Sequence, residues 1–292
     1  MKSRCAVSLK WLGWASLFVV AVASSSVAYD KPTTTKVVTY KQTKQAPLEL
    51  TLHFPASWKE TDKRPAIVFF FGGGWSSGSV TQFEVQANYL AERGLVAARA
   101  DYRVKSRHNV TPDLCVEDAK SAIRYVRANA AKLGVDPDRI VASGGSAGGH
   151  IAACTAFTEG LEAKGEDHAV SSKPNVLVLF NPVLRFEGVK QLMDRLGGDE
   201  ALGKKLSPTL HVQTASPPTL LMFGTADSLY AQGEEFVKRS KAQGHRADLM
   251  TAPDQPHGFF NRSPWQERTL VRADEFLESL GYLEGKPTLN LP

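Results

Sequence analysis

Cysteine is scarce in this chain, with only Cys5, Cys115 and Cys154 among 292 residues. That is too few for a small disulfide-stapled scaffold. No Cys-x-x-Cys pair and no His-Glu-x-x-His occurs, so the sequence implies no catalytic metal and no cofactor. Charge of one sign is also lacking. The formal net charge is +5, but Lys2, Arg4 and Lys10 fall in a leader described below. Without them the balance is about +2, which gives no electrostatic case for a nucleic-acid partner. After residue 23 no apolar run approaches the roughly 20 residues that cross a bilayer. There is no internal repeat and no low-complexity linker. What remains, 42% hydrophobic and 22% charged residues, is the balance of an ordinary folded globular chain.

Residues 1–28 read as a secretory signal peptide. Basic residues precede an apolar stretch from Trp11 to Ala23, and Ser24-Ser25-Ser26-Val27-Ala28 places small residues before a cut after Ala28. The apolar stretch is too short for an anchor of ordinary length. The expectation is therefore a secreted or periplasmic protein with no stable membrane span after cleavage, and a single domain over residues 29–292.

Beyond residue 30, short apolar runs alternate with amphipathic segments. The pattern predicts strands at Lys36–Tyr40, Leu48–Phe54, Ala66–Phe71, Leu95–Ala100, Arg139–Ser143, Val176–Phe180, Thr219–Phe223 and Ala247–Thr251. Continuous runs such as Ile67-Val68-Phe69-Phe70-Phe71 suit strands covered on both faces, as in a parallel sheet. Helices are predicted at about 82–93, 113–133, 147–157, 228–243 and 264–280. In the second, Val116, Ala119, Ile123, Val126 and Ala130 fall at helical spacing, and Gly134 supplies a stop. Such alternation predicts one α/β domain. The least regular stretches, 158–175 and 184–217, are the expected places for loops or a small cap over a site.

The chemistry concentrates at Gly144-Gly145-Ser146-Ala147-Gly148-Gly149, between a predicted strand and a predicted helix. Gly144-x-Ser146-x-Gly148 is a G-x-S-x-G turn, which lifts the serine hydroxyl above a sheet while the following helix aims free N–H groups at the same place. Neither the G-x-G-x-x-G nor the Gly-Lys-Ser/Thr phosphate fingerprint fits the run. A serine hydroxyl is a poor nucleophile until a base takes its proton. Of His53, His108, His150, His168, His211, His245 and His257, the last is preferred because Pro256-His257-Gly258-Phe259 follows the final strand. A carboxylate must then orient the imidazole. Asp227, just beyond the strand Thr219–Phe223, gives the order Ser, Asp, His expected of this elbow; Asp254 is the rival. A second glycine turn, Gly72-Gly73-Gly74-Trp75, follows the strand Ala66–Phe71 and lets backbone N–H groups approach a substrate oxygen. A further donor is expected from Ala147 N–H.

These segments resemble the α/β-hydrolase superfamily, and most closely carboxylesterases of the hormone-sensitive-lipase and acetyl-esterase type, including secreted acetylxylan and feruloyl esterases. The likeness is carried by Phe71-Gly72-Gly73-Gly74-Trp75, Asp101-Tyr102-Arg103, Glu117-Asp118-Ala119-Lys120, Asp136-Pro137-Asp138-Arg139-Ile140, Gly145-Ser146-Ala147-Gly148-Gly149-His150, Gly224-Thr225-Ala226-Asp227 and His257-Gly258-Phe259. It implies a mostly parallel eight-stranded sheet with helices on both faces. It also implies Ser146, Asp227 and His257 as the triad, with Gly73, Gly74 and Ala147 as oxyanion donors.

Two departures stand out. Phe71 occupies the position where the family usually has His, so a contact that props the glycine loop is expected to be missing. Few residues precede the first strand, so the cap is expected to be minimal and the site open. Asp101-Tyr102-Arg103 is read as a structural turn.

The implied activity is hydrolysis of short-acyl esters, with acetyl or feruloyl groups on carbohydrates as candidate substrates. An arylformamidase-like amidohydrolase and a non-catalytic binding protein on the same fold are the alternatives. In this fold the helices carrying Cys115 and Cys154 share a sheet face, so a bridge between them and two separate buried thiols both stay open.

Overall fold

The computed structural model describes residues 34–213 and 215–292. The leader read from residues 1–28 lies outside them. Eight strands form one sheet: β1 (Thr34–Gln42), β2 (Pro47–Phe54), β3 (Arg64–Phe70), β4 (Val96–Ala100), β5 (Val135–Gly145), β6 (Val176–Phe180), β7 (Thr219–Gly224) and β8 (Ala247–Ala252). Their order across the sheet is β1-β2-β4-β3-β5-β6-β7-β8. β1 and β2 run antiparallel to their neighbours, and every pairing from β4 to β8 is parallel. The helices are α1 (Glu84–Glu92), α2 (Lys105–His108), α3 (Pro112–Ala128), α4 (Ala130–Leu133), α5 (Ala147–Phe157), α6 (Lys190–Met193), α7 (Glu200–Lys205), α8 (Tyr230–Ala242) and α9 (Trp265–Glu278). Asn129 interrupts the single helix expected over 113–133, with Gly134 in the left-handed region closing the second piece.

Burial on both faces explains why the central strands are continuously apolar. Ala66, Val68 and Phe70 of β3 join a core with Val116, Ile123, Ile151 and Phe236 from α3, α5 and α8. The alternate residue Phe69 instead stacks on Phe83, which meets Phe180 and Phe260. Near that second layer, α1 and α9 are tied by Tyr89 and Arg93 to the buried carboxylate of Asp274. Opposite crossovers leave β3 and β5 as adjacent strands whose following segments diverge. In an open α/β sheet, that crevice at the carboxyl ends is where ligands bind.

The Asp101-Tyr102-Arg103 turn is structural, as expected. Arg103 and Lys41 converge on the buried carboxylate of Asp118 and on Glu117, while Arg107 pairs with Asp101. Tyr102 also answers for the missing histidine at position 71. Its ring stacks on Phe71 at 4.2 Å, and its hydroxyl donates to the Phe71 carbonyl at 2.7 Å.

Two points that the sequence leaves open are decided. Cys115 and Cys154 are buried free thiols rather than a bridge. Their helices pack together, but the Cys115 thiol donates to the Arg103 carbonyl, whereas Cys154 Sγ lies 3.3 Å from His150 Nε2. The thiols therefore engage separate partners. Residues 158–175 do not roof the carboxyl ends of the strands. They are held at the opposite end, where Arg127 reaches Pro137, Ser171 and Asn175 and where Asn175 accepts from Ile140 N–H at the base of β5. Lys120 and Arg124 fasten the rest through Glu162 and Glu166. Of the two irregular stretches, 184–217 is the one that reaches the glycine loop, through Arg195.

β5 and α5 meet so closely that no side chain fits at the turn. A Cβ on Gly148 would stand 2.0 Å from the Phe70 carbonyl oxygen, and one on Gly144 2.5 Å from the same atom. Because the obstacle is backbone, relief requires moving a central strand. Gly148→Ala should therefore lower unfolding stability by about 3 kcal/mol or more, measured by urea denaturation. A loss below about 1 kcal/mol would show that the helix can shift freely.

Candidate active site

Ser146 sits at the junction of β5 and α5 with φ 53° and ψ −118°. A non-glycine residue there is strained by about 1–3 kcal/mol and persists only when its surroundings fix it. They do so through backbone. Ser146 N–H donates to the Phe180 carbonyl at 2.9 Å, and its carbonyl accepts from His150 N–H at 2.9 Å.

β7 delivers Asp227 by a turn in which Asp227 N–H donates to the Gly224 carbonyl. Its carboxylate is fully buried, with Oδ1 accepting from Leu229 N–H at 2.9 Å. The loop after β8 brings His257 between the two. Nδ1 lies 2.7 Å from Asp227 Oδ2, and Nε2 lies 2.8 Å from Ser146 Oγ. An ionised carboxylate only accepts, so Nδ1 carries the hydrogen and Nε2 presents its lone pair to the serine hydroxyl. The three side chains singled out from sequence are thus one hydrogen-bonded line. Asp254 is not part of it: its side chain is exposed, and its N–H donates to Thr225 Oγ1 at 2.8 Å.

The glycine loop passes beside the serine. A Cβ on Gly72 would touch Ser146 Cβ at 3.4 Å, and Gly73 takes φ +124°. The Gly73 carbonyl accepts from both Ser76 and Ser77 N–H, tightening the turn. Among the described residues, the N–H groups of Gly73, Gly74 and Ala147 have no protein acceptor. From the segment 184–217, Arg195 donates to the Gly74 carbonyl at 2.9 Å and to Ser76 Oγ, and its guanidinium lies over the Trp75 ring. That segment also encloses a cleft of about 410 Å³ lined by Glu187, Lys190, Met193, Glu200 and Lys204 together with glycines. None of the three aligned side chains lines it.

Sequence reasoning missed Gln82, Asn181, Arg195 and Asn261. Asn181 is fully buried, takes φ 36° and uses Oδ1 to accept Gly258 N–H, next to His257, at 3.1 Å. An asparagine directly before Pro182 at the end of a central strand was the available signal. The others act across long sequence separations and leave no local pattern.

Strand order, elbow and the aligned Asp, His and Ser define an α/β-hydrolase of the carboxylesterase type. The chain belongs to the BD-FAE family, whose model matches residues 50–239. It is similar to esterase 2 of Thermogutta terrifontis, at 48% identity and a TM-score of 0.82, covering 86% of this chain and 97% of that one. Among curated proteins it is 29% identical over 232 residues to a probable isoprenylcysteine alpha-carbonyl methylesterase of Oryza sativa subsp. japonica, covering 71% of this chain and 53% of that protein. Esterase LipC of Mycobacterium tuberculosis is 28% identical over 222 residues, with 68% and 54% covered. The chain spans about half the length of these curated relatives. The resemblance read from the motifs and the mostly parallel eight-stranded sheet are both borne out.

His150, four residues beyond the serine, props the site rather than reacting in it. The Trp75 indole N–H donates to its Nδ1 at 3.2 Å, so Nε2 carries the hydrogen and reaches the Leu206 carbonyl at 2.8 Å. The ring thereby pins Trp75, itself at φ 58°, to the wall segment. Burial lowers the His150 pKa to about 4, against the partial support of the Leu206 carbonyl. The unfolded chain binds this proton near pH 6.5. Stability from the neutral ring is therefore complete above pH 6.5 and is lost as pH falls toward about 4. At pH 5 the loss should be about 2 kcal/mol. His53, also lowered to about 4 by burial and by Arg99, adds in the same direction. In urea denaturation between pH 7.5 and 5, His150→Gln should start lower and fall less steeply than the parent. Equal slopes would contradict a buried neutral ring.

Proposed function

We propose that this protein is an exported serine carboxylesterase that cleaves short-acyl esters, with acetyl groups on carbohydrate as the leading class and feruloyl groups as the bulkier one. The observation that carries the reading is the continuous line from Asp227 through His257 to Ser146 Oγ, with both links shorter than 3 Å. In this mechanism Ser146 Oγ attacks the ester carbonyl while His257 Nε2 takes its proton. Asp227, paired with Nδ1–H, stabilises the imidazolium. The carbonyl oxygen becomes an oxyanion, received by the N–H groups of Gly73, Gly74 and Ala147. As the tetrahedral intermediate collapses, the carbon–oxygen bond to the alcohol breaks, and the imidazolium returns its proton to the departing alkoxide. The acyl group stays on Ser146. Water then enters, gives its proton to Nε2 and attacks the acyl carbonyl. A second collapse releases the carboxylic acid and restores Ser146.

The short-acyl preference draws on the site walls. A long chain gains about 0.8 kcal/mol per buried CH₂ only where apolar walls exist. The wall segment 184–217 carries the charged residues Glu187, Lys190, Glu200, Lys204 and Lys205 and few continuous apolar stretches, which makes it poor material for a long acyl tunnel. Esterase 2 of Thermogutta terrifontis has been solved with propionate and with butyrate bound, ligands of the same small size. Export rests on the leader in residues 1–28. Among the described residues no helix is long and apolar enough to cross a membrane.

Ser146→Ala should abolish labelling by a fluorophosphonate probe and nearly all esterase activity. Asp227→Asn should lower kcat by several orders of magnitude, roughly 10⁴-fold in the comparable triad substitution. The parent should show a higher kcat/KM on 4-nitrophenyl acetate than on the octanoate, and should release acetate from a soluble acetylated polysaccharide. Full labelling of Ser146→Ala would reject the nucleophile. A tenfold octanoate preference would reject the short-acyl reading, and faster turnover of a formanilide than of any ester would favour an amidohydrolase.

A further inference from the structure

The glycine loop and the histidine loop are far apart in sequence, yet two side-chain amides join them. Gly72 N–H donates to Gln82 Oε1 at 2.6 Å, Gln82 Nε2 donates to Asn261 Oδ1 at 3.1 Å, and Asn261 Nδ2 donates to the Gly258 carbonyl at 2.9 Å. We propose that Gln82 and Asn261 form a strut that keeps His257 in register with the glycine loop, making both of them positioning residues for the ester hydrolysis proposed above. The proposal rests on that triad reading.

The polarity of the strut is fixed from its ends. A backbone N–H can only donate and a carbonyl can only accept. Gly72 N–H therefore demands an oxygen from Gln82, and the Gly258 carbonyl demands an N–H from Asn261. With those ends set, the remaining Gln82 N–H and Asn261 oxygen face each other in the complementary sense. Only one orientation of each amide satisfies the whole line.

The loop it holds buries few side chains and is otherwise fixed by short polar bonds: Asp254 N–H to Thr225 Oγ1, Ala226 N–H to the Gln255 carbonyl, and Asn261 N–H to the Gly258 carbonyl. Pro253, Asp254, Pro256 and His257 are exposed, and the His257 side chain is 40% exposed. A segment with few buried apolar contacts opens readily unless polar anchors restrain it. Gly258 is the natural anchor point, being bound on both sides: Asn181 Oδ1 takes its N–H and Asn261 takes its carbonyl. The strut's own mounts are rigid. Gln82 lies on the single-turn helix Val80–Phe83, whose start Ser79 caps, and Asn261 ends the turn Phe259–Asn261, whose two phenylalanines are buried. At the other end, Gly72 N–H belongs to the residue directly before Gly73, so the strut also sets one edge of the expected oxyanion site.

The test compares Gln82→Ala, Asn261→Ala, their double variant and Gln82→Glu on 4-nitrophenyl acetate, with Ser146→Ala as the control. Each alanine variant should lose roughly tenfold or more in kcat with KM nearly unchanged, as expected when a catalytic group is misplaced by a fraction of an ångström. The double variant should be no worse than the worse single one, because either cut opens the same line. Gln82→Glu keeps the oxygen for Gly72 but has no N–H for Asn261, so it should resemble Asn261→Ala rather than the parent. The pH profile of kcat/KM should differ from the parent's, because the strut sets how His257 meets Asp227 and Ser146; a merely structural role would leave the profile unchanged. Parent-like kcat and pH profile in the folded Gln82→Glu variant, or losses that multiply in the double variant, would overturn the strut while leaving the triad standing. Activity retained by Ser146→Ala would overturn the triad reading itself, and the strut with it.

Discussion

The close approach of α5 to the end of β3 is the constraint on which the rest depends. Gly144 and Gly148 both abut the Phe70 carbonyl, and that contact leaves Ser146 no ordinary conformation. Strain at one residue is tolerated because backbone on either side fixes it: β6 through Phe180 and the first turn of α5 through His150 N–H. The same junction leaves Ala147 N–H, next to Ser146, without a protein acceptor among the described residues. Sterics between strand and helix therefore set the position of Ser146 before His257 or Asp227 reaches it.

Around that fixed point, three loops arrive from separate strands, and each is secured differently. The Asp227 turn is buried and bonded through its own backbone. The glycine loop is clamped from several sides: Tyr102 on the Phe71 carbonyl, His150 on the Trp75 indole and Arg195 on the Gly74 carbonyl. The histidine loop is largely exposed and is held by backbone bonds at Asp254 and Gln255 together with the amide side chains of Asn181 and Asn261.

The replacement of histidine by Phe71 shows how a motif can change while its role survives. The carbonyl at that position is held by the Tyr102 hydroxyl, and the ring stacks on Tyr102. Reading the motif alone suggested a missing prop. The prop is supplied from Asp101-Tyr102-Arg103, a turn that the buried pairing of Arg103 and Lys41 with Asp118 immobilises.

Much of this molecule was legible in the sequence because its signals are local. Continuous β-branched and aromatic runs marked the strands buried on both faces. Glycine spacing marked the elbow, and the order of Ser146, Asp227 and His257 marked their place after β5, β7 and β8. Tertiary structure alone decided what depends on distant partners. The two thiols share a pair of packed helices but turn to different partners. Residues 158–175, irregular in sequence like a cap, are drawn to the far end of the sheet by Arg124 and Arg127. The Gln82–Asn261 bridge spans 179 positions. Sequence periodicity records which face a residue presents, because burial repeats with the backbone. It does not record which polar group a side chain meets across the fold, because one hydrogen bond between distant loops leaves no period to read.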